Sequence, residues 1–208
     1  MIDHNDIRID RAQLHPLLNY KLHKLLVRCN KKGIYLIITD GYRTVAYQDA
    51  LYAKGRTTTG NIVTNARGNS YSSQHQWGIA FDVAINDSKL LYDTAMISKV
   101  SKVAKKLGLG WGGDWTTIVD IPHFYLKSWG DTTTNLKSKY GTPSQFKDTW
   151  QVKVTKKGGC HLWKNTKKLG YHCNIPYGNN VDVMFSKLWY TKVKYRSMVG
   201  YVNKKCIK

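Results

Sequence analysis

His75, Asp82 and His123 are side chains of the types that hold a catalytic metal ion. A catalytic zinc takes three nitrogen or oxygen ligands from the protein and keeps a fourth position for water or substrate. Two imidazoles and a carboxylate supply that set. Zinc lowers the pKa of its water to about 7, which makes hydroxide available at neutral pH. A base must then take the water's proton and pass it to the leaving amine. Asp120, just upstream of His123, is the nearest candidate. All 13 acids of the chain are Asp and none is Glu, so any carboxylate chemistry falls to aspartate. Positions three apart on a regular strand point to opposite faces. Asp120 and His123 share a site only if the backbone kinks, and Pro122 supplies a break by forcing Ile121 extended. Two His and two Asp spread over residues 75–123 also occur by chance in many proteins, so spacing alone does not establish a metal site.

The elements that must position these residues are legible in outline. Leu14, Leu17, Leu18, Leu22, Leu25, Leu26 and Cys29 recur at helical steps, with Pro16 in the first turn and Gly33 at the end. His15 and His23 lie in this segment and have no ligand-type partner at helical spacing. Ile34 to Thr39 predicts a buried strand. Val45 to Ala53 predicts a helix, and the polar stretch 55–73 a loop of functional length. Trp77 to Ala84 alternates: Trp77, Ile79, Phe81 and Val83 form a core face, while Asp82 sits among the small Gly78, Ala80 and Ala84. Small residues around an acid leave room for an ion or a substrate. Ser88 to Leu107 predicts a second amphipathic helix, and Thr117 to Leu126 a strand containing Asp120 and His123.

Three blocks carry a resemblance. Ser73-Gln74-His75-Gln76-Trp77-Gly78-Ile79-Ala80-Phe81-Asp82 resembles the SxHxxGxAxD signature of a zinc peptidase family. That family contains the VanY-type D-alanyl-D-alanine carboxypeptidases and the L-alanyl-D-glutamate endopeptidases of bacteria and phages. Trp111-Gly112-Gly113-Asp114-Trp115 with Asp120-Ile121-Pro122-His123-Phe124 is similar to its second block, and Gly41-Tyr42-Arg43-Thr44 with Gln48 to its upstream block. The resemblance covers about residues 10–130. It implies a small α+β fold of the hedgehog/DD-peptidase type. It implies that His75, Asp82 and His123 bind Zn2+ and that Asp120 is the catalytic base. It implies that Arg43 faces the substrate carbonyl or carboxylate, where a cation stabilises a developing oxyanion, and that Ser73, Gln48 and Trp115 contact substrate. Asp rather than Glu in the DxPH block favours the L-alanyl-D-glutamate endopeptidase over the D-alanyl-D-alanine carboxypeptidase.

The chain has 208 residues, 42% hydrophobic, which excludes a mainly disordered protein. No apolar run reaches the ~18 residues of a membrane span. Met1 to Asp6 lacks the apolar core of a signal peptide. Four cysteines form no CxxC pair and read as buried small hydrophobes. The net charge of +20 predicts a polyanionic partner. Residues 148–208 hold 13 Lys or Arg against 2 Asp, a net of +11. In that stretch short β-type runs alternate with Gly and Asn turns, which predicts a small all-β SH3-like barrel. Ile175-Pro176-Tyr177-Gly178, Trp189 to Tyr195 and Val199-Gly200-Tyr201-Val202 resemble elements of the SH3b cell-wall-binding family. The division expected is a peptidase domain over 1–135, a linker over 136–148 and an SH3b-type domain over 149–208. The function expected is a peptidoglycan hydrolase of phage endolysin type that cuts the L-Ala–D-Glu bond of the stem peptide. It would wait in the host cytoplasm until a holin releases it to the wall, and its basic domain would meet teichoic acid or another anionic wall polymer. The alternatives are a D-alanyl-D-alanine carboxypeptidase on the same fold and a non-catalytic wall- or nucleic-acid-binding protein. Nucleic acid is the less favoured partner, because nucleic-acid binding gives His75, Asp82 and His123 no reason to converge.

Overall fold

A computed structural model describes residues 5–208. Met1 to His4, which carry most of the no-leader reading, lie outside the described residues. The chain divides into two compact units, one running to Pro143 and one from Ser144 to Lys208.

The first unit opens with the short strand β1 (Asp6–Ile7) and the helix α1 (Pro16–Asn30). His15 caps α1: its Nδ1 accepts the Leu17 N–H at 3.2 Å. Burial pushes the His15 imidazole down to about 3, so it stays a neutral acceptor. Leu17, Leu18, Leu22, Leu25, Leu26 and Cys29 form the buried stripe the periodicity predicts. Each such leucine contributes roughly 1.5–3 kcal/mol by leaving water. Strand β2 (Leu36–Asp40) and helix α2 (Val45–Ala53) follow, the latter capped by Thr44 accepting the Tyr47 N–H. Strand β3 (Ala80–Ile85) precedes helix α3 (Thr94–Lys106). The helix starts later than Ser88 because the Asp93 side chain accepts the Met96 N–H and sets the N-terminus there. Strands β4 (Leu109–Trp111) and β5 (His123–Leu126) complete the sheet, in the order β1-β2-β3-β5-β4. β1 runs parallel to β2, and the other pairs described in this sheet are antiparallel. With α1 and α3 packed together and α3 against β3 and β4, this is an α+β unit.

The expected strand Thr117–Leu126 is a correction. Its first six residues are irregular, and the strand begins at His123. Pro122 lacks the N–H a ladder needs, and the His123 N–H bonds back to the Asp120 carbonyl at 3.3 Å, closing a turn.

The stretch 136–148, expected to be a linker, is mostly helical: α4 (Thr134–Tyr140) buries Leu136 and α5 (Pro143–Asp148) buries Phe146. The second unit continues with β6 (Gln151–Lys153), β7 (Cys160–Trp163), β8 (Tyr171–Ile175), β9 (Asn180–Ser186), β10 (Tyr190–Tyr195) and β11 (Met198–Asn203). They form one sheet ordered β6-β9-β10-β11-β7-β8. Its core contains Leu162, Ile175, Val181, Val193 and Val202 together with Cys160 and Cys206. The expected SH3-like barrel is not closed among the described residues: β6 and β8 end the sheet, and Lys208 pairs with Lys153, the last residue of β6. No described helix is long and apolar enough to cross a membrane.

Candidate metal centre and active site

The sheet register builds the centre of the site. Asp82 on β3 lies opposite His123 on β5 and Asp40 on β2. Cross-strand partners share a face, so one carboxylate is set beside an imidazole on one side and a second carboxylate on the other. His75 arrives from a short 3-10 turn, Gln74–Trp77, ended by Gly78 at φ +62. A side chain at Gly78 would strain that left-handed turn, through which the chain passes from His75 into β3.

Three atoms converge. His75 Nε2 lies 3.1 Å from His123 Nδ1 and 3.2 Å from Asp82 Oδ1, and His123 Nδ1 lies 3.1 Å from the same oxygen. Ligands ~2.0–2.1 Å from a tetrahedral zinc are roughly 3.3 Å apart, so this triangle matches a zinc face to within a few tenths of an ångström. The hydrogen bonds behind it set the tautomers. His75 Nδ1 lies 2.6 Å from the Gly41 carbonyl, which only accepts, so Nδ1 carries the proton. His123 Nε2 donates to Gln74 Oε1 at 2.8 Å, and Gln74 is oriented by donating its own Nε2–H to the Asp131 carbonyl at 3.2 Å. With those protons placed behind, His75 Nε2 and His123 Nδ1 are the ring atoms that face inward, alongside a carboxylate oxygen. Such a set calls for a cation in its midst. Burial acts to raise the Asp82 carboxyl, but the two imidazoles outweigh it and hold it well below the usual carboxylate range.

Asp120 reaches the rim of this triangle. Its Oδ2 lies 4.0 Å from His123 Nδ1, and its side chain is 44% exposed. Burial pushes its carboxyl above the ordinary range against the pull of His123, and the Asp82 carboxylate adds to the push. The kink argued from Pro122 is what lets both residues meet. Gly112 makes room for it: a Cβ there would lie 2.5 Å from the Asp120 carbonyl oxygen and 3.1 Å from His123 Cβ.

Arg43 is held by three acceptors. Its Nε donates to Asp40 at 2.8 Å, one amino group to Asp82 Oδ2 at 3.2 Å and the other to Gln48 Oε1 at 3.4 Å. Gln48 is fully buried and also donates to Thr64 Oγ1 and the Ala66 carbonyl, so it ties the long polar loop to Arg43 from behind. Both ends of its amide are engaged within the protein, and the structure does not bring it to the open side as a substrate contact. Ser73 stands at the position preceding the turn that carries His75 and makes no side-chain capping bond there. The Trp115 ring lies 5.1 Å from that of His123, and its Nε1 donates to the Tyr125 hydroxyl at 3.2 Å. Three contributors went unseen in the sequence: Gln74, Asp40 and Asp131. Asp40 was findable as an acid three residues before Arg43. Gln74 lies inside the quoted motif without any spacing that marks it. Asp131 reaches the site through its backbone carbonyl, which no side-chain pattern reveals.

A family model described as D-alanyl-D-alanine carboxypeptidase matches residues 66–126. The chain is 38% identical over 126 residues to the peptidoglycan L-alanyl-D-glutamate endopeptidase CwlK of Bacillus subtilis, covering 55% of this chain and 74% of that protein. It is 32% identical over 116 residues to the L-alanyl-D-glutamate peptidase of Listeria phage A118, covering 53% of this chain and 37% of that protein. Among solved structures, the Serratia marcescens L-Ala D-Glu endopeptidase ChiX is similar with a TM-score of 0.42 at 20% identity, covering 56% of this chain and 82% of that one. The ordered motifs, the converging His75, Asp82 and His123, and the likeness to CwlK over most of its length agree: this chain belongs to the D-alanyl-D-alanine carboxypeptidase and L-alanyl-D-glutamate peptidase family of metallopeptidases.

Proposed function

We propose that the protein is a zinc-dependent peptidoglycan endopeptidase that cuts the L-Ala–D-Glu bond of the stem peptide. The observation that carries this reading is the triangle of His75 Nε2, Asp82 Oδ1 and His123 Nδ1, with both imidazole tautomers set from behind. A zinc ion held there would supply Lewis acidity toward the scissile carbonyl and acidify the attacking water. Asp120, at the rim, takes the water's proton and returns it to the leaving amine. Arg43 sets its charge beside Asp82, where a developing oxyanion or a substrate carboxylate is stabilised. Trp115 forms a wall against His123. The names of the CwlK and phage relatives favour L-Ala–D-Glu, whereas the description of the matching family model favours release of terminal D-Ala.

The second unit lies beyond residues 66–126, which the family model matches, and we assign it to wall attachment through its 13 basic residues against 2 acids across 148–208. The phage origin of one relative supports the endolysin reading, in which a holin would release the protein to the wall. The deciding experiment offers the full chain one soluble stem peptide that carries both an L-Ala–D-Glu bond and a D-Ala–D-Ala terminus. Fragments with D-Glu at a new N-terminus support the endopeptidase. Free D-Ala overturns it in favour of the carboxypeptidase.

A further inference from the structure

The strand register of the second unit places one continuous row of side chains across five strands. Phe185 on β9 pairs with Lys192 on β10, Lys192 with Tyr201 on β11, Tyr201 with Trp163 on β7, and Trp163 with Tyr171 on β8. Directly paired residues point to the same face, and that face is the outer one. The residues that follow or precede them along their strands, Leu162, Met184, Val193 and Val202, are in the core. Phe185, Lys192, Tyr201 and Trp163 are half-buried and Tyr171 is 56% exposed.

Side-chain contacts gather the row into two groups, Phe185 with Lys192 and Tyr201, and Trp163 with Tyr171, joined by the strand pairing of Tyr201 with Trp163. The Lys192 ammonium sits 5.8 Å from the Phe185 ring and 5.6 Å from the Tyr201 ring. The Phe185 and Tyr201 rings are 6.5 Å apart, and the Trp163 and Tyr171 rings 5.9 Å apart. His161, two residues before Trp163 on the same face, stands 5.4 Å and 5.5 Å from those last two rings. Strands spaced ~4.8 Å apart make the row about 19 Å long. Tyr195, by contrast, is buried in the core and takes no part.

We propose that this row is a docking face for the glycan strand of peptidoglycan, with aromatic rings packing against successive sugars and Lys192 drawing the carboxylates of the stem peptides attached to it. The inference rests on the reading of the second unit as a wall-attachment module. The row runs across the strands and not along a sheet edge, so it offers no backbone groups for pairing with a peptide strand. It offers rings and a cation, and a linear polymer with a repeating ring unit matches that surface. The charge matches too: 13 basic residues against 2 acids over 148–208 suit an anionic polymer and no cationic one.

The test uses the full chain, with chelator present so that the wall is not digested. Binding is measured to sacculi stripped of covalently attached anionic polymer, to soluble peptide-free glycan strands and to a single-stranded oligonucleotide. The variants are Trp163→Ala, Tyr171→Ala and Lys192→Gln, with Lys205→Gln as a charge-matched control off the row. Unchanged hydrolysis of soluble stem peptide and unchanged melting show that each variant is folded. The expected result is roughly tenfold weaker binding to sacculi and glycan strands for Trp163→Ala and Tyr171→Ala, a smaller loss on sacculi for Lys192→Gln, and wild-type binding for Lys205→Gln. Wild-type binding by all three row variants overturns the proposal. So does binding that vanishes when the anionic polymer is stripped, or an oligonucleotide held more tightly than glycan through the same residues. A chain that cleaves stem peptide yet binds no wall overturns the docking face and leaves the enzymatic reading intact. A chain that binds glycan through the row yet cleaves nothing supports the docking face and refutes the enzymatic reading.

Discussion

Gln74 is the residue whose replacement most directly probes how the ligand set is held. Its Oε1 accepts from His123 Nε2 at 2.8 Å and its Nε2 donates to the Asp131 carbonyl at 3.2 Å, and both Gln74 and His123 are buried. In Gln74→Met the chain length is kept and both bonds are lost. His123 then has a buried N–H without an acceptor, which costs roughly 1–3 kcal/mol of stability. Nothing would hold the proton on Nε2, so the ring spends part of its time with Nδ1 protonated and unable to ligate. Loss of an outer hydrogen-bond partner typically weakens a metal site by about 10–100-fold, and that is the loss expected in zinc affinity. Gln74→Glu separates the two bonds. It keeps an acceptor for His123 but sets a second carboxylate oxygen against the Asp131 carbonyl, so an intermediate affinity follows. The assay is competition with a chromogenic chelator on the full chain, with long-range nitrogen–proton NMR of the imidazoles to report the tautomer. A Gln74→Met variant with wild-type zinc affinity and His123 still protonated on Nε2 would refute the reasoning.

Other perturbations follow from the same geometry. Asp120→Asn is expected to keep its zinc and lose about 100-fold or more in kcat; undiminished turnover by the zinc-loaded variant removes Asp120 as the base. Gly112→Ala puts a methyl 2.5 Å from the Asp120 carbonyl oxygen, so the turn must shift. A loss of roughly 1–3 kcal/mol in stability should accompany a drop in turnover, and wild-type melting and activity would contradict the packing argument. His15 predicts a pH effect on stability. Its folded value of about 3 lies below the ~6.5 of an unfolded histidine, so below pH 6.5 only the unfolded chain takes up the proton. The stabilisation is complete above pH 6.5 and falls by up to about 1.4 kcal/mol per pH unit toward pH 3. His15→Asn keeps a capping acceptor and should flatten that slope in urea melts between pH 7 and 5; parallel slopes would refute the assignment.

What was legible in the sequence follows from what kind of signal each element sends. The stripe of α1 and the bounds of α2 were readable because apolar period and caps act locally. The start of α3 was misplaced because one capping contact, Asp93 to Met96, outweighs a longer amphipathic pattern. Strand β8 went unseen because Tyr171, His172 and Asn174 are exposed and only Ile175 is buried, which leaves no apolar run to find. At the site, Pro122 marks a break in the strand, and the structure places Asp120 Oδ2 4.0 Å from His123 Nδ1 across it. Gly41, which fixes the proton on His75 Nδ1, and Asp131, which orients Gln74, contribute backbone carbonyls, whose positions depend on the folded register and not on side-chain type. Closure of the second unit depends on pairings at its sheet ends, where no sequence pattern distinguishes a barrel from an open sheet.

The central claim is that His75, Asp82 and His123 hold a metal on which cleavage of L-Ala–D-Glu depends. Mass spectrometry of purified peptidoglycan digested by the full chain, with and without chelator and with zinc restored, tests it most directly. The account predicts fragments with D-Glu at a new N-terminus, lost with chelator and recovered with zinc. Release of free D-Ala, cleavage indifferent to chelator, or no cleavage with zinc bound would contradict it.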